Sequence, residues 1–239
     1  MTDPVRNRND GEDFHLLWTA RRALRLLDKR SRLVAVSIEG CSTAEGSSQT
    51  SDTELVVDTA EYYGHEDFLL AERVEYVQLK HSTVRTEDEW TVAGLAKTVS
   101  QFAILFRQRC LDHGQEIAIT KLGFVFVTNR PIHSEVTKAL AAVQQDDGED
   151  KAVIGTLARW NAKSSLNAAD FKCFLRLLRL QGREPNRADQ DDELRGGLAA
   201  LSPGSTDEGL RDRLVEFVRR KTLTDAARDP VIRQAALLN

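Results

Sequence analysis

The run KLGFVFVTNRPI, residues 121–132, limits the folds open to this chain more than any other stretch. It is apolar, β-branched and aromatic, so it reads as a buried strand, with Asn129, Arg130 and Pro131 at its C-terminal end. Further strand signals precede it, and the sequence beyond it reads as helix. A strand-bearing core followed by a helical portion makes this an α/β chain. The boundary is expected between Pro131 and Gly148, which divides the 239 residues into a core of 1–147 and a helical region of 148–239.

The stretch NDGEDFHLLWTARRALRLLD opens with cap-forming residues and then places Phe14, Leu17, Ala20, Leu24 and Leu27 at spacings of three and four. That spacing predicts an amphipathic helix ending near Asp28. RLVAVSIEG is a short strand, and the small polar CSTAEGSSQTSD after it is a loop by composition. Strand character returns from Glu54 to Tyr63 and again in VEYVQLKHS, with HEDFLLAER turning between them. From Thr91 a long helix carries Leu95, Val99, Phe102, Leu105 and Phe106 on its inner side and stops at Gly114. Helical patterns follow in SEVTKALAAVQ, KAVIGTLARWNAK, NAADFKCFLRLLRL and GLRDRLVEFVRRKTL, and the polar QGREPNRADQDDE is the best linker candidate.

Composition narrows the setting. A hydrophobic content of 41% with 29% charged residues is ordinary for a soluble globular protein. No apolar run approaches the roughly 18 residues a membrane helix needs, and MTDPVRNRNDGEDF is too polar for a secretory signal. A cytoplasmic protein with no membrane partner is the expectation. Cys41, Cys110 and Cys173 are far apart and lack any zinc-site spacing, so they read as inert thiols. A net charge of -4 argues mildly against coating nucleic acid, although a local basic groove is compatible with it.

No P-loop, dinucleotide, nucleophile-elbow or zincin motif is present. The remaining chemistry lies in acidic and basic residues on strands. Gln78 and Lys80 sit two apart inside VEYVQLKHST, so alternation turns both to one face. If residues 54–63 and 73–81 form an antiparallel hairpin, positions whose numbers sum to about 136 face each other. Asp58 is then opposite Gln78, Lys80 lies two residues on, and Glu39 is available from the preceding strand. A slip of one residue moves Asp58 to the other face, so the register is the test.

Such a cluster suits phosphodiester hydrolysis. A divalent metal such as Mg²⁺, or Mn²⁺, takes hard oxygen ligands, often one or two carboxylates with a carbonyl and water. Asp58 is the expected main ligand, with the Gln78 side-chain carbonyl and Glu39 adding to it. The metal lowers the pKa of bound water, and Lys80 positions that water or stabilises charge building on the phosphorus.

These residues resemble the PD-(D/E)xK nuclease superfamily in the variant where glutamine replaces the usual acid. VSIEG, LVVDTAEYYG, VEYVQLKHST and FVFVTNRPI, in that order, look more narrowly like the dsDNA-endonuclease effector domain of bacterial anti-phage defence proteins. The resemblance implies a restriction-endonuclease-like central mixed sheet flanked by helices. It also implies a metal-dependent endonuclease of double-stranded DNA, commonly joined in such proteins to a sensor or nucleotide-binding module; any such module here is expected outside this sequence or on another chain. Asp58 matches its metal-binding acid, Gln78 and Lys80 the (D/E/Q)xK pair, and Glu39 an acid on the first strand. A homo-oligomer is expected, because cutting both strands of a duplex takes two active sites or two events.

Plainer readings stand beside these. Gln78 and Lys80 also suit a solvated strand face, Asp58 a turn cap, and Glu39 before Gly40 a strand end. His81, Ser82, Lys97, Asn129 and Arg130 are candidate phosphate contacts. Trp90, Tyr62 and Tyr63 read as core or interface residues. The alternative function is a catalytically inactive nuclease-like module for DNA binding or oligomerisation, motivated by the uncharged Gln78 and the acidic net charge.

Overall fold

Strand β4, Leu122–Thr128, is buried at every position because it runs inside a sheet covered on both faces. The structure, a computed structural model, describes residues 4–28, 30–45, 56–145, 155, 157–161, 166–201, 208–223 and 229–238. The other strands are β1 (Leu33–Ile38), β2 (Thr59–Tyr63), β3 (Arg73–Lys80), β5 (Leu178–Gln181) and β6 (Val231–Arg233). They form one mixed sheet in the order β5–β4–β3–β2–β1–β6. The β6–β1–β2–β3 half is antiparallel, and β3, β4 and β5 run parallel.

Helix α1 (Pro4–Leu24) buries Phe14, Leu17 and Ala20 against one face, as their spacing predicts. Phe14 and Trp18 pack there on Val77 and Leu79 of β3 and on Val125 and Val127 of β4. Helices α6 (Arg187–Leu201) and α7 (Glu208–Lys221) extend this layer with Leu194, Leu214 and Val218. The opposite face is covered by α2 (Val92–His113), α3 (Gln115–Lys121), α4 (Ser134–Gln144) and α5 (Ala168–Leu177). Their Leu95, Phe102, Phe106 and Phe174 meet Val74, Tyr76, Phe124 and Phe126 of the sheet.

The expected ends of α2 are both realised. The Thr91 side chain accepts the Gly94 N–H at 3.3 Å, and Gly114 terminates the helix with φ +89°, a backbone favouring glycine. The α/β architecture, with a central mixed sheet flanked by helices and a helical C-terminal portion, is the one expected from sequence.

The local reading needs correction in four places. Strand β2 begins at Thr59 rather than Glu54, so Asp58 stands just before it, while residues 54 and 55 lie outside the described part. The end of NAADFKCFLRLLRL leaves the helix at Leu177 to form β5, and Val231–Arg233 pairs with β1. The stretch after Pro131 is thus not all helix, because it supplies both sheet edges. QGREPNRADQDDE does not serve as a linker. Asn186 Oδ1 accepts the Ala188 N–H at 2.9 Å and starts α6, which buries Gln190 and Leu194. Most of KAVIGTLARWNAK lies outside the described residues, but Trp160 within it is buried and donates Nε1–H to the Val92 carbonyl at 2.8 Å.

Candidate active site at the β2–β3 fork

The hairpin register has the expected sum. Thr59 faces Val77, Ala60 faces Tyr76, Glu61 faces Glu75, Tyr62 faces Val74 and Tyr63 faces Arg73. One step further, at Asp58, the ladder opens. The Asp58 N–H donates to the Val77 carbonyl at 2.9 Å, and its carboxylate accepts the Leu79 N–H at 2.6 Å. A side chain therefore takes the place the β2 backbone would have held. The carbonyl of Leu79, which points into the same gap, is hydrogen-bonded by the His15 ring on α1. Asp58 and His15 together hold the two backbone groups of Leu79 that lost their strand partner.

The charged groups gather around this fork. Burial raises the Asp58 carboxyl above its ordinary range, opposed by His15, by the Leu79 hydrogen bond and by Lys80. Burial also lowers His15, partly offset by Asp58, so the imidazole is neutral at neutral pH. Glu39 is exposed, and partial desolvation together with repulsion from Asp58 and Glu12 raises its carboxyl. The Glu39 N–H donates to the Asp58 carbonyl at 2.8 Å, and the residue is held at φ +52°, a left-handed backbone uncommon outside glycine. A cleft of about 50 Å³ is lined here by His15, Thr19, Glu39, Asp58 and Leu79, with Val218 of α7 as one wall. That is room for an ion with a water or two.

Gln78 occupies the level of the strand expected opposite Asp58, but its environment differs from the sequence picture. Alternation sends Val77 and Leu79 to the α1 face and Gln78 to the α2 face. The side chain is buried, and its Oε1 has no hydrogen-bond partner among the described residues. An acceptor left without a partner in the interior costs stability. The site thus brings Asp58, Lys80 and Glu39 into one electrostatic cluster and leaves Gln78 on the other face of the sheet.

The proposed DNA contacts divide. His81 stacks on Phe14 with ring centroids 4.7 Å apart, at the rim of the fork. Ser82 and Asn129 hold each other, the Ser82 N–H donating to Asn129 Oδ1 at 3.0 Å and Asn129 Nδ2 donating back to the Ser82 carbonyl at 2.7 Å. That pair ties the ends of β3 and β4 together. Arg130 lies over the Trp90 ring at 4.6 Å and donates Nε–H to the Asp88 carbonyl at 2.6 Å. Lys97 is exposed on α2.

Sequence reading missed His15 and Glu12, which approach from a helix more than forty residues away in the chain. The one signal was His15 interrupting the apolar stripe between Phe14 and Leu16. Among the described residues no group of three or more His, Cys, Asp and Glu is gathered to hold a metal. The oxygen donors at the cleft are the Asp58 and Glu39 carboxylates; the Gln78 carbonyl, expected beside them, turns to the other face of the sheet because alternation gives the α1 face to Val77 and Leu79. The two carboxylates suit Mg²⁺ in kind, since Mg²⁺ is commonly held by one or two carboxylates and keeps several waters.

No protein family and no curated protein sequence matches the chain. Among solved structures, its fold is similar to that of the Cap4 SAVED/CARF-domain containing receptor from Moraxella osloensis, with a TM-score of 0.46 and 13% identity over 88% of this chain and 42% of that one. The chain spans less than half the length of that receptor.

Proposed function

We propose that this chain is a metal-dependent endonuclease acting on double-stranded DNA, the effector part of a bacterial anti-phage system. The observation that carries the reading is the Asp58 carboxylate seated in the open end of the β2–β3 ladder, within the field of Lys80 and of the raised Glu39 carboxyl. Asp58 and Glu39 would hold Mg²⁺ or Mn²⁺, and the bound ion would supply an activated water and a polarised phosphoryl oxygen. Lys80 supplies a positive charge for the phosphoryl group. His15, kept neutral, fixes the Leu79 peptide and through it the position of the Asp58 carboxylate.

Plasmid nicking with Mg²⁺ and Mn²⁺ tests this, with Lys80→Ala as the control. Native activity absent from Lys80→Ala supports the reading. Equal nicking by both proteins sinks it. A second reading, a nuclease-like module that binds DNA without cutting it, is favoured by the burial of Gln78 on the α2 face away from the cleft. DNA binding with no cleavage under either metal selects that reading.

A further inference from the structure

The far end of β3 carries a site of a different kind. A cavity of about 450 Å³ opens on the α1 face where β1 starts and β2 ends, and it is lined by Arg22, Arg25, Arg30, Arg32, Arg73 and Arg179. Among the described residues, the carboxylates in the lining are Glu72 and Glu75. Buried Glu61 lies beneath, taking both Nε and Nη2 of Arg22, with Arg25 at 4.0 Å. Glu75 is shared between Arg73 and Arg179, the latter at 2.6 Å. Six guanidinium groups therefore face three carboxylates, and positive charge is left over on an otherwise acidic protein.

Two further details belong to this cavity. The Arg179 side chain is 42% exposed and spends Nη2 on Glu75, while its Nε has no hydrogen-bond partner among the described residues. Gly123 of β4, level with Glu75, places no side chain beside it, and a Cβ there would make only ordinary contacts, 3.4 Å from Glu75 Cγ and 3.6 Å from Arg73 Nη2. The volume lies within the roughly 300–1,000 Å³ typical of small-molecule pockets. From Arg73 to Leu79 the strand advances about 20 Å, so this cavity sits at the opposite end of the sheet from the fork.

We propose that this cavity binds a small phosphorylated anion with two or more negative charges, of the size of a nucleoside di- or triphosphate. Arginine suits that class because its planar fork bonds phosphate oxygens two at a time, and several forks converging on one cavity match several phosphate oxygens. The neighbouring carboxylates hold the guanidinium groups in place and keep the empty pocket from accumulating unbalanced charge. Helix α1 links the two ends of the molecule, since it supplies His15 to the fork and Arg22 to the cavity. The inference stands whether or not the fork cuts DNA.

The test is titration calorimetry of the whole chain with tripolyphosphate and, separately, ATP, both in EDTA. One-site binding is expected for the native protein and for Asp58→Asn. Arg30→Gln, at an exposed position, is expected to weaken it measurably, and Arg30→Gln with Arg179→Gln by at least about tenfold, or 1.4 kcal/mol. Absence of binding at millimolar anion, or equal binding by the double variant, overturns the proposal. So does displacement of tripolyphosphate by a short DNA duplex, which would make the arginines a contact for nucleic-acid backbone.

Discussion

The Asp58 carboxylate accepts the Leu79 backbone N–H at 2.6 Å, standing in for a strand that begins only one residue later, at Thr59. The same hydrogen bond that closes the sheet also holds the carboxylate at the mouth of the cleft. Structure and proposed chemistry therefore place opposite demands on this side chain, and replacing its charge separates them.

Asp58→Asn keeps an oxygen acceptor for Leu79 and removes the charge. Mg²⁺-dependent nicking is expected to fall by at least about 100-fold. Because burial raises the folded-state pKa of Asp58, the unfolded chain releases this proton first as pH rises through 3.8, and the native protein loses stability up to the folded value. Asp58→Asn should accordingly melt at a higher temperature than the native protein at pH 7, and the two should converge below pH 3.8. Identical melting temperatures at pH 7 would contradict the burial argument.

His15 works in the other direction. Its folded pKa is lowered from 6.5, so on acidification the unfolded chain takes up the proton first and stability falls as pH drops below 6.5. His15→Gln, which cannot charge, is expected to show a shallower loss of melting temperature from pH 6.5 to 5. An unchanged slope assigns the loss to other groups, with His81, also lowered by burial, the first to test.

Gln78→Met removes a buried, partnerless carbonyl at nearly constant volume. Chemical denaturation should show stability unchanged or raised by up to about 1–3 kcal/mol. Nicking should drop by about 10- to 100-fold if the carbonyl serves the metal. Intact nicking with a large loss of stability would make Gln78 a structural residue.

Glu45 and Arg109 form a buried pair at 2.6 Å, with the Tyr76 hydroxyl donating to Glu45 at 2.5 Å. Removing one partner strands the other in the interior. Glu45→Ala is expected to cost about 3–5 kcal/mol in denaturant unfolding. Nicking at low temperature should survive, since neither residue reaches the fork.

Much of the fold was legible because its signals are local. The apolar run at 122–128, the Thr91 cap and Gly114 stop of α2, and the hairpin sum of 136 all follow from spacing and backbone chemistry within short segments. Asp58 and Lys80 could be singled out for the same reason, since a charge in an apolar strand is visible without knowing its neighbours. Strand β5 could not be read, because four residues continuing a helical pattern carry too few periods to distinguish a helix end from an edge strand. Strand β6 is three residues long and exists because β1 offers it an unpaired edge.

The sequence by itself determined which segments alternate, where the long helix starts and stops, and which strand residues break an apolar pattern. Tertiary structure alone decided that His15 closes the gap beside Leu79, that Gln78 turns to the buried α2 face, and that six arginines from four separate segments share one cavity. The physical reason is the range of the interactions. Periodicity and capping act over a few residues of chain, whereas burial and charge act through space between segments whose proximity is set by packing.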